Sequence, residues 1–206
     1  MSGADLWAVV ESAFAQICDS YTAGRFVPLL EADIAGYVYH VLVKGFAGDA
    51  KLVHLSTRLL GTGGKDKYDL VIGEVLDTQT LKELVIQRAG DKLDSDTKRI
   101  LGLKSVRSGF RPSVRGQLII EFKHFADGFD PQQLRIHAQQ AIEDVRKLVK
   151  LAKLCPKGRG VALFDEKGYI NDIRRQEIIS ARKDDSSLRI YLFRRTSAGG
   201  MAWSLY

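Results

Sequence analysis

The sequence predicts an α/β fold in which a mixed central β-sheet is flanked by helices. Three observations carry this expectation. Leu134, Ala138, Ala141, Val145, Leu148 and Ala152 alternate steps of four and three, the spacing of one continuous apolar helical stripe. Strand-like apolar runs lie on both sides of that helix: "KLVHLSTRLL", "KYDLVIGEV" and "GQLIIEFKHF" ahead of it, "GRGVALFD" and "SLRIYLFRR" behind it. Turn-forming clusters such as "GTGGKDK" and "ADGFDP" separate the runs. The core order is αβββαβ, with the first three strands as a meander and the long helix crossing over to a further strand.

The elements are justified in turn. An N-terminal helix is expected over about residues 4–18, where Leu6, Val9, Val10, Phe14 and Ile17 fall near helical spacing. A second helix should open near Pro28, a residue suited to a first helical turn, and run through "PLLEADIAGYVYHVLV". Two strands follow around the glycine-rich turn. Residues of about 76–115 are polar and irregular and read as a basic insertion. The strand at residues 116–125 and the long helix come next, then a strand, a helix over 172–182 and a last strand at 187–195.

The 206 residues suit a single domain spanning 1–206. No apolar run approaches the ~18 residues that span a bilayer. The N-terminus "MSGADLWAVVESAF" carries acids where a secretory leader has a basic region, so a cytoplasmic protein without membrane contact is expected. Cys18 and Cys155 form no CxxC, and the four histidines show no HxxxH or HxH spacing, which argues against zinc. No GxxxxGK[ST] is present, so the glycines near residue 62 read as a tight connection and not a phosphate loop.

Net charge is +6 and the isoelectric point about 9.3. Charge distribution is more informative than its sum. No acid occurs from Thr97 to Ile120, yet Lys98, Arg99, Lys104, Arg107, Arg111 and Arg115 all fall there. Further clusters are Arg174 with Arg175, Arg182 with Lys183, and Arg194 with Arg195. One cluster alone reads as a solvated face; together they make a nucleic-acid partner an expectation.

The chemistry-bearing residues come from periodicity. On a strand, Gln117, Ile119, Glu121 and Lys123 share one face, and Leu118, Ile120, Phe122 and His124 the other. A carboxylate and an ammonium inside an apolar run require partners. Asp69 enters another apolar strand, sharing a face with Val71, while Tyr68, Leu70 and Ile72 share the other. Asp66, in the turn, and Glu74, at the strand end, are its rivals. Glu31 has Ala35, Val38 and Leu42 as face companions at i+4, i+7 and i+11, and so points toward the sheet. Asp33 falls beside Tyr37 and His40 and reads as solvated.

Three carboxylates directed inward repel one another unless a cation sits among them. Mg²⁺ suits such a set, with hard oxygen ligands and retained waters. A lysine beside it could orient the attacking water or stabilise charge on phosphate. Its desolvation would lower its pKa and make base chemistry conceivable. The structural alternatives are a strand salt bridge for Glu121 and Lys123, a turn contact for Asp69, and a helix-dipole acid for Glu31. His124 and His137 read as structural.

At this point the chain resembles the PD-(D/E)XK nuclease superfamily, the restriction-endonuclease-like fold. The resemblance rests on Asp69, then Glu121-Phe122-Lys123 on the next strand, then a helix, with Glu31 on the helix ahead of the strands, and covers roughly residues 28–165. Tyr68 stands where that family has a proline, and the gap from Asp69 to Glu121 is long. The resemblance implies a Mg²⁺- or Mn²⁺-dependent endonuclease acting on double-stranded DNA, and by analogy a homodimer. It assigns Asp69, Glu121 and Glu31 to the metal, Lys123 to the attacking water, and Gln139 or Gln140 in "HAQQAIEDVRKL" to the site's flank. The alternatives are a non-catalytic binding module on the same fold, or a nuclease for RNA or branched DNA.

Overall fold

The computed structural model describes residues 2–46, 52–57, 59, 67–75 and 114–206. Most of the glycine-rich turn, Asp66, and the insertion over 76–113 with Lys98, Arg99, Lys104, Arg107 and Arg111 lie outside the described residues.

Helix α1, Gly3–Thr22, is longer than its sequence signature, because Ser2 and Asp5 form a reciprocal capping box ahead of the apolar stripe. Helix α2 spans Glu31–Gly45. Pro28 is therefore not in its first turn. The Asp33 carboxylate accepts from the backbone amides of Leu29 at 2.9 Å and Leu30 at 2.8 Å, which starts the helix at Glu31. Asp33 is thus a capping residue rather than a merely solvated acid.

Strands β1 (Val53–Thr57), β2 (Tyr68–Val75) and β3 (Val114–Phe125) form the expected meander. Helix α3, Pro131–Val149, opens with a proline at its first position and an Asp130 cap. It leads to β4, Gly158–Asp165; helix α4, Asp172–Ser180, leads to β5, Leu188–Arg195. The described sheet has six strands in the order β1-β2-β3-β4-β5-β6. The β3–β4 and β4–β5 pairs are parallel and the others antiparallel. Parallel neighbours need helical crossovers, which α3 and α4 supply.

Strand β6, Met201–Leu205, follows the double arginine and is not among the strands expected from the sequence. It pairs back on β5, and alternating Met201, Trp203 and Leu205 after Gly199-Gly200 were the available signal. Arg115 was assigned to the insertion; it lies within β3, in register with Glu74 of β2.

The sheet is covered on both faces. One face sets Leu70, Ile72, Leu118, Ile120, Phe122 and Phe193 against α1 and α2. The other sets Val71, Ile119, Val161, Leu163 and Leu192 against Leu134, Ala141, Val145 and Leu148 of α3. Burial on both sides explains why β3 and β4 are apolar almost throughout. Tyr68 departs from the expected alternation and joins the α3 side at the end of β2. Ala152 lies beyond the helix end and is exposed; Leu151 is buried there instead.

Trp7 of α1 covers the glycines that begin β4. A methyl group on Gly158 would meet the indole at 2.6 and 2.7 Å, and one on Gly160 at 2.9 Å. Neither position has room for a side chain while α1 is docked. Gly158→Ala should cost about 1–3 kcal/mol through overpacking. Thermal denaturation should show a melting temperature lower by roughly 3–10 °C. An unchanged melting temperature would contradict the seating of α1 on β4.

Candidate functional site

The site lies at one end of β2 and β3, where their pairing stops. The last backbone pair in that direction is Leu70 with Ile120. Past it, side chains replace the ladder. The Phe122 amide donates to Asp69 Oδ2 at 2.9 Å, and the Asp69 amide donates to Glu121 Oε2 at 3.2 Å. Each carboxylate is thereby fixed by the neighbouring strand's backbone. Glu121 is only 3% exposed.

Lys123, two residues further along the same face, is buried at 8% exposure. Its ammonium donates to the Phe122 carbonyl at 2.9 Å and bridges Glu31 Oε2 at 3.3 Å and Asp144 Oδ2 at 3.0 Å. Glu31 reaches it from the first residue of α2, because its face companions Ala35, Val38 and Leu42 are buried against the sheet. Asp144 comes from α3. So does Lys147, whose ammonium lies 2.5 Å from Glu121 Oε1, 3.9 Å from Asp144 Oδ1 and 4.3 Å above the Tyr68 ring.

The structure thus brings Asp69, Glu121, Lys123 and Glu31 into one cluster and adds Asp144 and Lys147, which sequence reasoning missed. The signal was available: Asp144 and Lys147 sit beside the buried positions Ala141, Val145 and Leu148 on α3. Of the glutamines, Gln139 is exposed, donates to Glu143 at 3.3 Å and faces a shallow depression with Arg135, Tyr169 and Arg174. It is not brought to the cluster. Gln140 is exposed one turn ahead of Asp144 on the same helical stripe. Glu74 is exposed at the far end of β2. Its register partner Arg115 is eight residues from Lys123 along β3, about 26 Å of strand.

Electrostatics follow from burial. Desolvation, with Asp69 adding repulsion, pushes the Glu121 carboxyl up to about 8 although Lys147 opposes it. Burial also raises Glu31, against the attraction of Lys123. For Lys123 burial acts downward, but Glu31 and Asp144 outweigh it, and the ammonium is held above its ordinary range. This corrects the expectation of a lowered lysine: with Glu31 and Asp144 beside it, Lys123 is held in its charged form.

Whether these residues suit a divalent cation can be judged from the donors. Four carboxylates face two ammonium groups, so negative charge is in excess. Glu31 Oε2 and Asp144 Oδ2 are buried and lie near Lys123, yet neither accepts a well-directed hydrogen bond. All donors are hard oxygens, which fits Mg²⁺ or Mn²⁺. As the side chains stand, no three histidine, cysteine, aspartate or glutamate residues among the described residues are arranged to hold one ion. The lysine ammonium groups lie between the acids.

Several other basic and histidine side chains among the described residues have partners within the chain. On the opposite face of β3, His124 Nε2 pairs with Glu166 at 2.6 Å, and both are buried. Glu166 also accepts from Tyr21 at 2.6 Å and lies 3.4 Å from Arg195. Arg175 pairs with Asp172, Arg174 stacks on Tyr169, and Arg182 donates to the Leu188 and Tyr206 carbonyls. No helix among the described residues is long and apolar enough to cross a membrane.

Comparison with known proteins adds little. No protein-family model and no curated protein matches the chain. Among solved structures there is a likeness to SfsA of Pyrococcus furiosus in complex with Ca²⁺, at 10% identity and a TM-score of 0.32, over 82% of this chain and 61% of that one. The chain therefore spans less than two thirds of that protein's length. At such a TM-score nothing is carried over.

Glu121 generates a pH prediction. Its folded pKa of about 8 is above the 4.5 of an ordinary glutamate, so folding favours the protonated form between the two. The stability it contributes is full below about pH 4.5 and is lost as pH rises through 8. Asp69 and Asp144 oppose the charged form, and Lys147 supports it. Without divalent cation, Glu121→Gln should melt with wild type near pH 4.5 and about 2–6 °C above it at pH 8.5. A variant less stable across the whole range would show the Lys147 pair to be net stabilising.

Proposed function

We propose that the chain is a divalent-metal-dependent phosphodiester hydrolase acting on nucleic acid, with DNA as its substrate. The observation that carries this reading is the open end of the β2–β3 ladder. There Asp69 and Glu121 are fixed side by side, and a buried, permanently charged Lys123 stands beside them. Asp69 and Glu121 would hold Mg²⁺ or Mn²⁺, with Glu31 and Asp144 extending the acidic set. When bound, the ion would supply Lewis-acid polarisation of a phosphoryl oxygen and a nucleophilic water at neutral pH.

The chain's own residues do the rest. Lys123 is fixed by the Phe122 carbonyl and keeps its proton. It is suited to orienting a water, or to donating to a non-bridging phosphate oxygen as charge develops. Lys147 neutralises Glu121 when no other cation does so. Basic residues from Lys98 to Arg111 supply phosphate contacts that position without reading sequence. Arg115, eight residues from Lys123 along β3, stands away from the acidic cluster. A homodimer would present two such sites, one for each strand of a duplex.

A second reading is favoured by a specific observation. The close Lys147–Glu121 pair and the Lys123 bridge make an ion-pair network, which a non-catalytic DNA- or protein-binding module could keep for structure alone. Plasmid nicking and melting temperature, measured together, separate the two readings. Under the hydrolase reading, Mg²⁺ raises the wild-type melting temperature by mass action on the folded state, and Asp69→Ala abolishes the rise. Lys123→Ala keeps the rise but loses about 10²-fold or more in cleavage, because its contact is made in the transition state. A Lys123→Ala protein that melts lower yet nicks at the wild-type rate would leave the network as structure only.

A further inference from the structure

The hydrolase reading gives Lys147 a passive part, yet its surroundings are those of a bound ion. Its ammonium lies 2.5 Å from Glu121 Oε1 and 3.9 Å from Asp144 Oδ1, and it stands 4.3 Å above the Tyr68 ring. Two carboxylates and a π face are what a small cation would meet at this position. The acids are placed independently of the lysine. Glu121 Oε2 accepts from the Asp69 amide at 3.2 Å, and Asp69 Oδ2 accepts from the Phe122 amide at 2.9 Å. The Lys147 side chain is 28% exposed, against 11% for Lys123. Its flexible stem can therefore carry the ammonium out to solvent while Glu121 stays where the strands hold it.

What can take the ammonium's place follows from charge. A tethered ammonium faces Glu121 without the translational entropy that a free ion loses on binding. A monovalent ion brings no more charge than the group it would displace, and it must also be immobilised. A divalent ion brings twice the charge, and its attraction to the carboxylates scales with that charge. Asp69 and Asp144 act on Glu121 as like charges, so the position favours the cation that carries more charge.

We propose that Lys147 is a tethered cation that closes the Glu121 position to monovalent ions and yields it to a divalent ion. Lys147 is thereby the residue that determines which class of cation the site takes. The inference rests on the hydrolase reading for the use of a metal, and deepens it by naming what selects that metal.

The test measures Mg²⁺ affinity by calorimetry in two alkaline buffers of equal ionic strength. One contains NaCl and the other tetramethylammonium chloride, whose cation is too bulky to replace the ammonium at Glu121. Wild type should give the same Kd in both. Lys147→Gln should bind Mg²⁺ about tenfold tighter than wild type in tetramethylammonium, because an opposing charge is gone. The change also favours a proton on Glu121, but a divalent ion gains about twice as much from it as a proton does. In NaCl the variant's gain should shrink by roughly threefold, because Na⁺ now competes. Lys147→Arg keeps the charge and should behave as wild type. So should Lys150→Gln, which removes an exposed charge three residues further along. The same gain in Lys150→Gln would reduce the effect to net charge and overturn the proposal. Wild-type NMR gives an answer even where Lys147→Gln does not fold. The Lys147 side-chain resonance, assigned by its absence from Lys147→Arg, should move on addition of Mg²⁺ and stay fixed when Na⁺ replaces tetramethylammonium. A resonance that stays fixed while Mg²⁺ binds would overturn the proposal. Plasmid nicking in the same buffers separates the two levels of inference. Affinity no tighter in Lys147→Gln and indifferent to Na⁺ in both proteins, with nicking intact, sinks the selector and leaves the hydrolase. The expected affinities without nicking by wild type leave the selector and sink the hydrolase. No Mg²⁺ binding by either protein sinks both.

Discussion

A carboxylate removed from water beside a second carboxylate governs this end of the molecule. Glu121 is buried because β3 is an interior strand covered by helices on both faces, and Asp69 adjoins it where the β2–β3 ladder ends. Charge so placed must be answered locally. Lys147 of α3 answers Glu121, and Lys123 answers Glu31 of α2 and Asp144 of α3. The start of α2, the middle of α3 and the ends of two strands are thereby tied to one polar knot between two apolar layers. The sheet supplies the burial that makes the charges expensive, and the charges in turn specify how α2 and α3 meet the strand ends.

Much of this was legible from periodicity alone. Strand alternation placed Glu121 and Lys123 on one face, and helical spacing turned Glu31 toward the sheet. In both cases a polar residue interrupts an otherwise apolar pattern, which costs energy unless it is partnered. Asp144 and Lys147 escaped notice for the complementary reason. They lie at the edge of an amphipathic stripe, where acids and lysines are ordinary, and only the α3 crossover reveals that this edge faces Glu121 and Lys123. Arg115 was misplaced because a basic residue among glycine and glutamine resembles insertion, while its pairing with β2 depends on a partner far away in sequence. Tyr68 broke its expected alternation at the strand end. Strand β6 was lost because five residues after a Gly-Gly turn carry little pattern until β5 gives them an edge to pair with.

The network also shows how one cluster serves structure and chemistry together. With Lys147 on Glu121 and Lys123 between Glu31 and Asp144, the cluster holds together without an added ion. The same pairing leaves negative charge in excess and two carboxylate oxygens without directed hydrogen bonds. Lys123 differs from Lys147 in being more deeply buried and tied to a backbone carbonyl. Lys123 is thus a fixed charge, whereas Lys147 is a counterion that another cation could replace.

The central claim is that Glu121 is a protonatable, metal-competent carboxylate rather than one half of a permanent salt bridge. Calorimetric titration of Mg²⁺ into the protein, repeated in buffers of different ionisation enthalpy, measures the protons released per ion bound. A carboxyl held near pH 8 must lose its proton to become a ligand. The account predicts proton release on Mg²⁺ binding at about pH 6.5 that declines as pH rises toward about 8.5, with no such release from Glu121→Gln. Binding with no proton release at the lower pH, or no binding at any pH, would contradict it.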